Sequence, residues 1–148
     1  MPMAEQTSPT RDIPYVLEEQ VGYLLRLASQ RHAVIFQKHA VENLTATQFS
    51  TLIRVFEVGS VSQNHLGRLA AMDVATVKGV VDRLKSKGLV QSVPDQVDKR
   101  RSIISLTAKG QSLISDLKTS GVQITDETLA PLTGAERRSL VALLRKIT

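Results

Sequence analysis

Two helix starts, Ser62 and Asp73, lie so close together that they leave few folds open. Each is a residue whose side-chain oxygen can cap a helix, and apolar residues follow each at helical spacing: Leu66, Leu69 and Ala70, then Val74, Val77, Val80, Val81 and Leu84. Between the caps there is room only for a short helix to about Ala71 and a tight turn. Two helices joined so closely form a helix-turn-helix.

The flanking sequence extends this unit on both sides. Thr45-Ala-Thr-Gln48 has the spacing of a capping box, and Phe49, Leu52, Ile53 and Phe56 follow at helical period until Gly59. Upstream, Asp12, Pro14, Glu18 and Glu19 predict the start of one long helix from Val16 to about Ala40, with Val21, Leu25, Ala28, Ile35 and Phe36 on its apolar stripe. After Gly88 the period changes to two: Leu89 to Val93 and Ser102 to Leu106 read as strands, joined by a loop from Pro94 to Arg101. Thr107 caps a fifth helix to about Leu129, which can kink at Gly121, and Thr133-Gly-Ala-Glu136 opens a last one through Leu140, Val141, Leu144 and Ile147.

The predicted fold class is mainly α with a small β-wing. Residues 45–107 form the winged helix-turn-helix, and residues 12–44 and 108–148 form a helical region. Residues 1–11, polar and carrying Pro2 and Pro9, read as a flexible arm. The terminal helices can bury their stripes only against each other or a second chain, which predicts a homodimer.

Charge supplies the first functional indication. From Ser62 to Gly110 there are nine basic residues and four acidic ones, whereas the rest of the chain is balanced, so the formal net charge of +5 is confined to the helix-turn-helix and its wing. A field so localised favours a polyanion. The stretch "DVATVKGVVDRLKSKGLV" carries the small residues Ala75, Thr76, Gly79 and Ser86 with Arg83 opposite its valines, flanked by Lys78 and Lys85. Small side chains let a helix backbone sink into a DNA major groove, with Arg83 reaching a guanine edge, Thr76 a base or thymine methyl, and Lys78 a phosphate. An ordinary amphipathic surface helix would show a similar face. The wing loop adds Lys99, Arg100 and Arg101, and an arginine on such a tip fits the minor groove, with Asp98 orienting Arg100.

Other chemistries find little support. With no cysteine, thiolate metal sites, disulfides and thiol redox sensing are excluded. His32, His39 and His65 are scattered, and the chain has no glycine-rich phosphate loop, serine elbow or carboxylate dyad, so an enzyme is not expected, nor a cofactor. No apolar run approaches a membrane span, and there is no signal-peptide pattern, which predicts a cytoplasmic protein.

In order and spacing, "LTATQFSTL", "LGRLAAMDVATVKGVVDRLKSKGLV" and "DKRRSIISLTAKG" resemble segments of MarR-family transcriptional regulators. The resemblance covers nearly the whole chain. The wing is its most specific part, with Asp98, Arg100, Leu106, Thr107 and Gly110 at the family's Asp-x-Arg, Leu-Thr and Gly positions. It implies a homodimer on a pseudo-palindromic double-stranded DNA operator, base reading near Thr76 and Lys78, and a minor-groove role for Arg100. With these, Ser62, Gln63, Gly79, Arg83, Lys99 and Arg101 complete the DNA-facing candidates. Gln91 and Ser92 stand where a basic residue often follows the "GLV" turn, which leaves a phosphate contact on the first wing strand open.

The resemblance also implies a repressor released by a small aromatic effector, an aromatic carboxylate or its coenzyme A thioester. "YLLRLASQRHAVIF" supplies the candidates: His32 with Arg26 or Arg31 for the anionic group, and Phe36 and Phe49 flanking a ring. Arg26 points away from the apolar stripe unless it reaches the partner chain, and His32 and His39 also read as hydrogen-bonded core or interface histidines. An architectural winged-helix protein binding nucleic acid without sequence preference is the alternative.

Overall fold

The computed structural model describes residues 12–148, so the arm predicted for residues 1–11 lies outside the described residues. The chain enters through extended backbone and a single 3-10 turn, Leu17–Glu19. The Gln20 side chain donates to the Val16 carbonyl (2.9 Å). The backbone of Gln20 is extended (φ −81°, ψ 131°), and helix α1 follows over Val21–Lys38. The predicted helix from Val16 to about Ala40 is therefore shorter, because Gln20 closes the preceding turn and caps α1 instead of continuing it.

Five downstream helix starts follow from their local capping chemistry. Thr45 accepts from the Gln48 amide and closes a full capping box on α2, Ala46–Val58, which ends at Gly59 with φ 90°. Ser62 accepts from the His65 amide at the start of α3, Gln63–Leu69. Asp73 accepts from the Thr76 amide (2.7 Å) at the start of α4, Val74–Ser86. Thr107 caps α5, Ala108–Thr128, and Thr133 with Glu136 forms the second capping box on α6, Gly134–Lys146. Helix α5 runs through Gly121 unbroken.

Three strands, β1 (Ser60–Ser62), β2 (Val90–Pro94) and β3 (Ser102–Leu106), form an antiparallel sheet in the order β1-β3-β2. Ile104 of β3 is the register point, opposite both Val61 and Ser92. The sheet closes one side of a core built from Leu52 and Val55 of α2, Leu66 of α3, Val77, Val81 and Leu84 of α4, Leu89, and Ile114 and Leu117 of α5. Each such side chain contributes about 1.5–3 kcal/mol on burial, so this cluster fixes how α4 and the wing are held.

Val74 departs from its predicted place among the buried valines: it is 70% exposed. It stands at the first position of α4, and only Val77, Val81 and Leu84 are fully buried from this helix. The terminal elements differ from the core. Tyr15, Val21, Leu24, Leu25 and Val34 stay exposed on the N-terminal side, Leu143 of α6 and Ile147 just past its end are exposed, and α6 has no buried residue.

Candidate nucleic-acid interface and effector cleft

Helix α4 presents Ala75, Thr76, Lys78, Gly79, Arg83 and Lys85 to solvent while Val77, Val81 and Leu84 face the core. A Cβ placed on Gly79 would meet nothing within 4 Å, so its lack of a side chain is not explained by packing inside the protomer. The Asp73 carboxyl is held below its usual range, first by the Thr76 amide and then by the Thr76 side chain. Lys78 pairs with Asp82 one turn on (3.0 Å). An exposed i,i+4 pair is worth only about 0.3–0.5 kcal/mol, so a phosphate can take this ammonium at little cost.

The wing rises beside this face. Its turn is closed by the Arg101 amide donating to the Asp98 carbonyl (3.0 Å) and the Asp95 amide donating to the Arg101 carbonyl (2.8 Å). Arg100 is 91% exposed in its side chain, yet its direction is set: Nε donates to Asp98 Oδ1 at 3.1 Å and Nη2 to Oδ2 at 3.4 Å. Asp98 also accepts from the Arg100 amide, and the guanidinium is the first cause of its lowered carboxyl pKa. The predicted orienting role of Asp98 is thus present as geometry.

Ser62, Gln63, Asn64, Arg100, Arg101 and Ser102 line one polar niche of about 120 Å³ between the start of α3 and the base of the wing. Ser62 is buried, with its hydroxyl on the His65 amide, so its part is chiefly to set α3. Lys99 is exposed at the loop. Sequence reasoning missed Asn64; its place one step inside α3 was the available signal. Gln91 turns its side chain to Ser105 (3.4 Å).

Turns behind the wing tie it to α5. Thr107 Oγ1 donates to the Gly88 carbonyl (2.6 Å), and the Thr107 amide donates to the Leu89 carbonyl (3.1 Å). A Cβ on Gly110 would collide with that same Leu89 oxygen.

At the other end of α5 lies a cleft between α1, α2 and α5. Ser29, His32, Ala33, Phe36, Gln37, Thr45 and Ala46 line a cavity of about 260 Å³, and His32, Phe36, Ala46 and Phe49 share a second of about 190 Å³ with Gly121, Ile124 and Thr125. Phe36 and Phe49 meet edge to face, with centroids 5.8 Å apart. The half-buried His32 shares a hydrogen bond of 2.8 Å between Nδ1 and Thr128 Oγ1, which leaves Nε2 as its other polar atom.

The two candidate arginines stand elsewhere in the protomer. Arg31 donates from Nη1 to the Thr128 carbonyl (2.6 Å) and from Nη2 to the Glu127 carbonyl (3.1 Å), neutralising the negative end of α5. Arg26 lies over the Tyr23 ring, 5.5 Å from its centroid, and lines neither cavity. His39 caps the end of α1 and pairs with Glu127 (2.6 Å), which also accepts from Lys38 (2.9 Å). These two groups, His39 first, hold the Glu127 carboxyl below its usual range. Thr128 and Gly121 were not predicted at the cleft, since nothing local ties the end of α5 to α1. Among the described residues no group of three metal-ligating side chains occurs, and no helix is long and apolar enough to cross a membrane.

Comparison with known proteins gives the arrangement a context. The model of the MarR family matches residues 44–102. The HTH-type transcriptional repressor NicR of Pseudomonas putida is 40% identical over 150 residues, covering 98% of this chain and 95% of that protein. A probable transcriptional regulator from Pseudomonas aeruginosa superposes with a TM-score of 0.87 at 41% identity, over 90% of this chain and 100% of that one. BpsR of Bordetella bronchiseptica, whose DNA binding is regulated by 6-hydroxynicotinic acid, superposes at 0.85 with 40% identity, over 91% and 97% of the two chains.

Proposed function

Because the chain belongs to the MarR family of transcriptional regulators and is not an enzyme, we propose that it is a repressor that binds a pseudo-palindromic operator as a homodimer and is released by a single-ring aromatic carboxylate. The observation that carries the DNA reading is the juxtaposition of the exposed small face of α4 with a niche that joins α3 to Arg100 and Arg101. In this reading α4 lies in the major groove, with Arg83 and Thr76 at base edges and Lys78 on a phosphate. Arg100, aimed by Asp98, enters the adjoining minor groove. Gln63 and Asn64, with Arg101 and Lys99, follow the backbone between them.

The exposed apolar residues of α1 and α6 support the homodimer, since an uncovered apolar surface of this kind marks an interaction face. Two half-sites then fall about 34–36 Å apart on one face of the duplex. A cytoplasmic location follows from the same reading.

For the effector, His32 offers Nε2 to a carboxylate while Phe36 and Phe49 bound the ring. Arg26, outside the cavity of its own protomer, would reach a ligand only across the dimer. BpsR, similar over nearly its whole length and regulated by an acid of one aromatic ring, supports this ligand class. A cavity of about 190 Å³ favours the free acid over its bulky thioester.

The test is the affinity for the DNA upstream of the protein's own gene against scrambled DNA at one stated salt concentration, with and without single-ring aromatic acids. A preference of about 10³ or more that one acid abolishes is the expected result. A ratio near one replaces the repressor with a nonspecific architectural protein, and selective binding indifferent to every acid removes the effector.

A further inference from the structure

The cleft is divided. On the His32 side of Phe49 lies the cavity of about 190 Å³; on the other side, between α2 and α5, an apolar groove of about 470 Å³ is walled by Ile53, Leu117 and Val122, with Lys118 at its edge. Phe49, Gly121 and Thr125 line both spaces. One edge of the Phe49 arrangement is its T-shaped contact with Phe36 of α1, and the other is the backbone of α5, where a Cβ at Gly121 would stand 3.1 Å from Phe49 Cζ. The ring therefore spans the seam from helix to helix. A glycine in the middle of a helix weakens it, and here the missing side chain is what admits the ring.

We infer that Phe49 is a partition that sets the size of the effector: it confines the ligand to one aromatic ring on the His32 side and closes the larger groove to it. This rests on the effector reading given above and adds which residue selects within that class. A cavity of about 150 Å³ is enough to hold one benzene ring, so the 190 Å³ space between His32 and Phe49 suits one ring and not two fused ones; the 260 Å³ cavity that shares His32 and Phe36 is walled by α1 and the start of α2, without Phe49. The groove behind Phe49 has the volume of a site for larger ligands, and of the residues lining both spaces Phe49 carries the largest side chain. Truncating Phe49 joins the spaces, and a fused two-ring acid can then keep its carboxylate at His32 while its second ring enters the groove.

The experiment uses the full-length protein on its upstream DNA. 6-Hydroxynicotinic acid is the one-ring probe and a hydroxyquinoline carboxylic acid the two-ring probe; the concentration giving half release is read by fluorescence anisotropy, and direct binding by thermal shift without DNA. Wild type is expected to favour the one-ring acid at least tenfold. Phe49→Ala should shrink that ratio tenfold or more through tighter two-ring binding, with Phe49→Leu between them; where the alanine variant does not melt cooperatively, the leucine variant decides. Gly121→Ala, which presses the ring toward His32, should weaken the one-ring acid without admitting the other. A ratio unchanged in the Phe49 variants, or a wild type that accepts both acids equally, overturns the partition and leaves the effector reading standing. A wild type that responds to neither acid overturns both.

Discussion

Gly79→Ala separates folding from DNA binding with one methyl group. Gly79 sits mid-way along α4, and the added Cβ meets nothing within 4 Å in the free protein. Replacing a helical glycine by alanine in open space stabilises by about 0.5–1 kcal/mol through lost backbone freedom in the unfolded chain. At the size of this domain that is a rise in Tm of about 2–4 °C per kcal/mol. In the proposed docking the sign reverses on DNA, because there the methyl would point to the groove floor and push α4 outward. Lifting the helix lengthens the contacts of Thr76 and Arg83, each good base contact carrying about 1–3 kcal/mol of discrimination. The expected loss is tenfold to a hundredfold in operator affinity, with a smaller loss on scrambled DNA. Thermal melts and anisotropy titrations at one protein and salt concentration read both effects, since dimerisation makes Tm depend on concentration. A more stable variant with unchanged operator affinity would refute the placement of the small face of α4 against DNA.

Three further outcomes follow from the same geometry. Gly110→Ala drives a methyl into the Leu89 carbonyl that the Thr107 amide uses; overpacking with the strained hydrogen bond should cost about 2–4 kcal/mol, seen as a urea midpoint lower by roughly 1–2 M. Arg100→Ala should weaken operator binding and reduce the salt slope by about one, whereas Asp98→Asn, which keeps the Arg100 cation but removes the carboxylate that aims it, should lower the ratio of operator to scrambled-DNA affinity. Glu127 has its carboxyl pKa lowered in the folded state, so the stability it adds is complete above the usual carboxylate range and disappears as pH falls through the folded value. The gap in urea midpoint between wild type and Glu127→Gln should therefore be present at pH 7 and close below about pH 4; a gap that widens on acidification contradicts the pairing with His39 and Lys38.

What the sequence disclosed was mostly what a few neighbouring residues decide. Thr45, Ser62, Asp73, Thr107 and Thr133 each cap the helix that their spacing predicts, because a cap needs only an oxygen and an amide two or three residues on. The pairing of Asp98 with Arg100 was legible for the same reason. What stayed hidden depends on distant chain. Strand β1 is only three residues long and exists through its pairing with β3. Val74 lies on the apolar side of a helical wheel but is exposed, since a wheel gives direction and not burial. Gly121 signalled something by its position, read as a kink; its reason is the Phe49 ring, which the sequence places far away. Arg31 looked like a free cation and is taken up by the end of α5.

The placement of α5 explains how a ligand at His32 would reach the DNA. This helix of 21 residues is about 31 Å long, and its two ends are held by different partners. At the first, Thr107 and Gly110 lock onto Gly88 and Leu89, the turn that joins α4 to the wing. At the second, Arg31, His32 and His39 of the α1 region grip Glu127 and Thr128. In the proposed reading, a carboxylate on His32 would act beside the Thr128 hydrogen bond, at the end of a rod whose other end carries the DNA-facing elements. A tilt of about 5° along such a length displaces the far end by nearly 3 Å. In the proposed dimer, two heads that must match half-sites about 34–36 Å apart could not both absorb that displacement. The ligand needs only to prefer the tilted form, because its differential affinity for the two forms sets the whole size of the response.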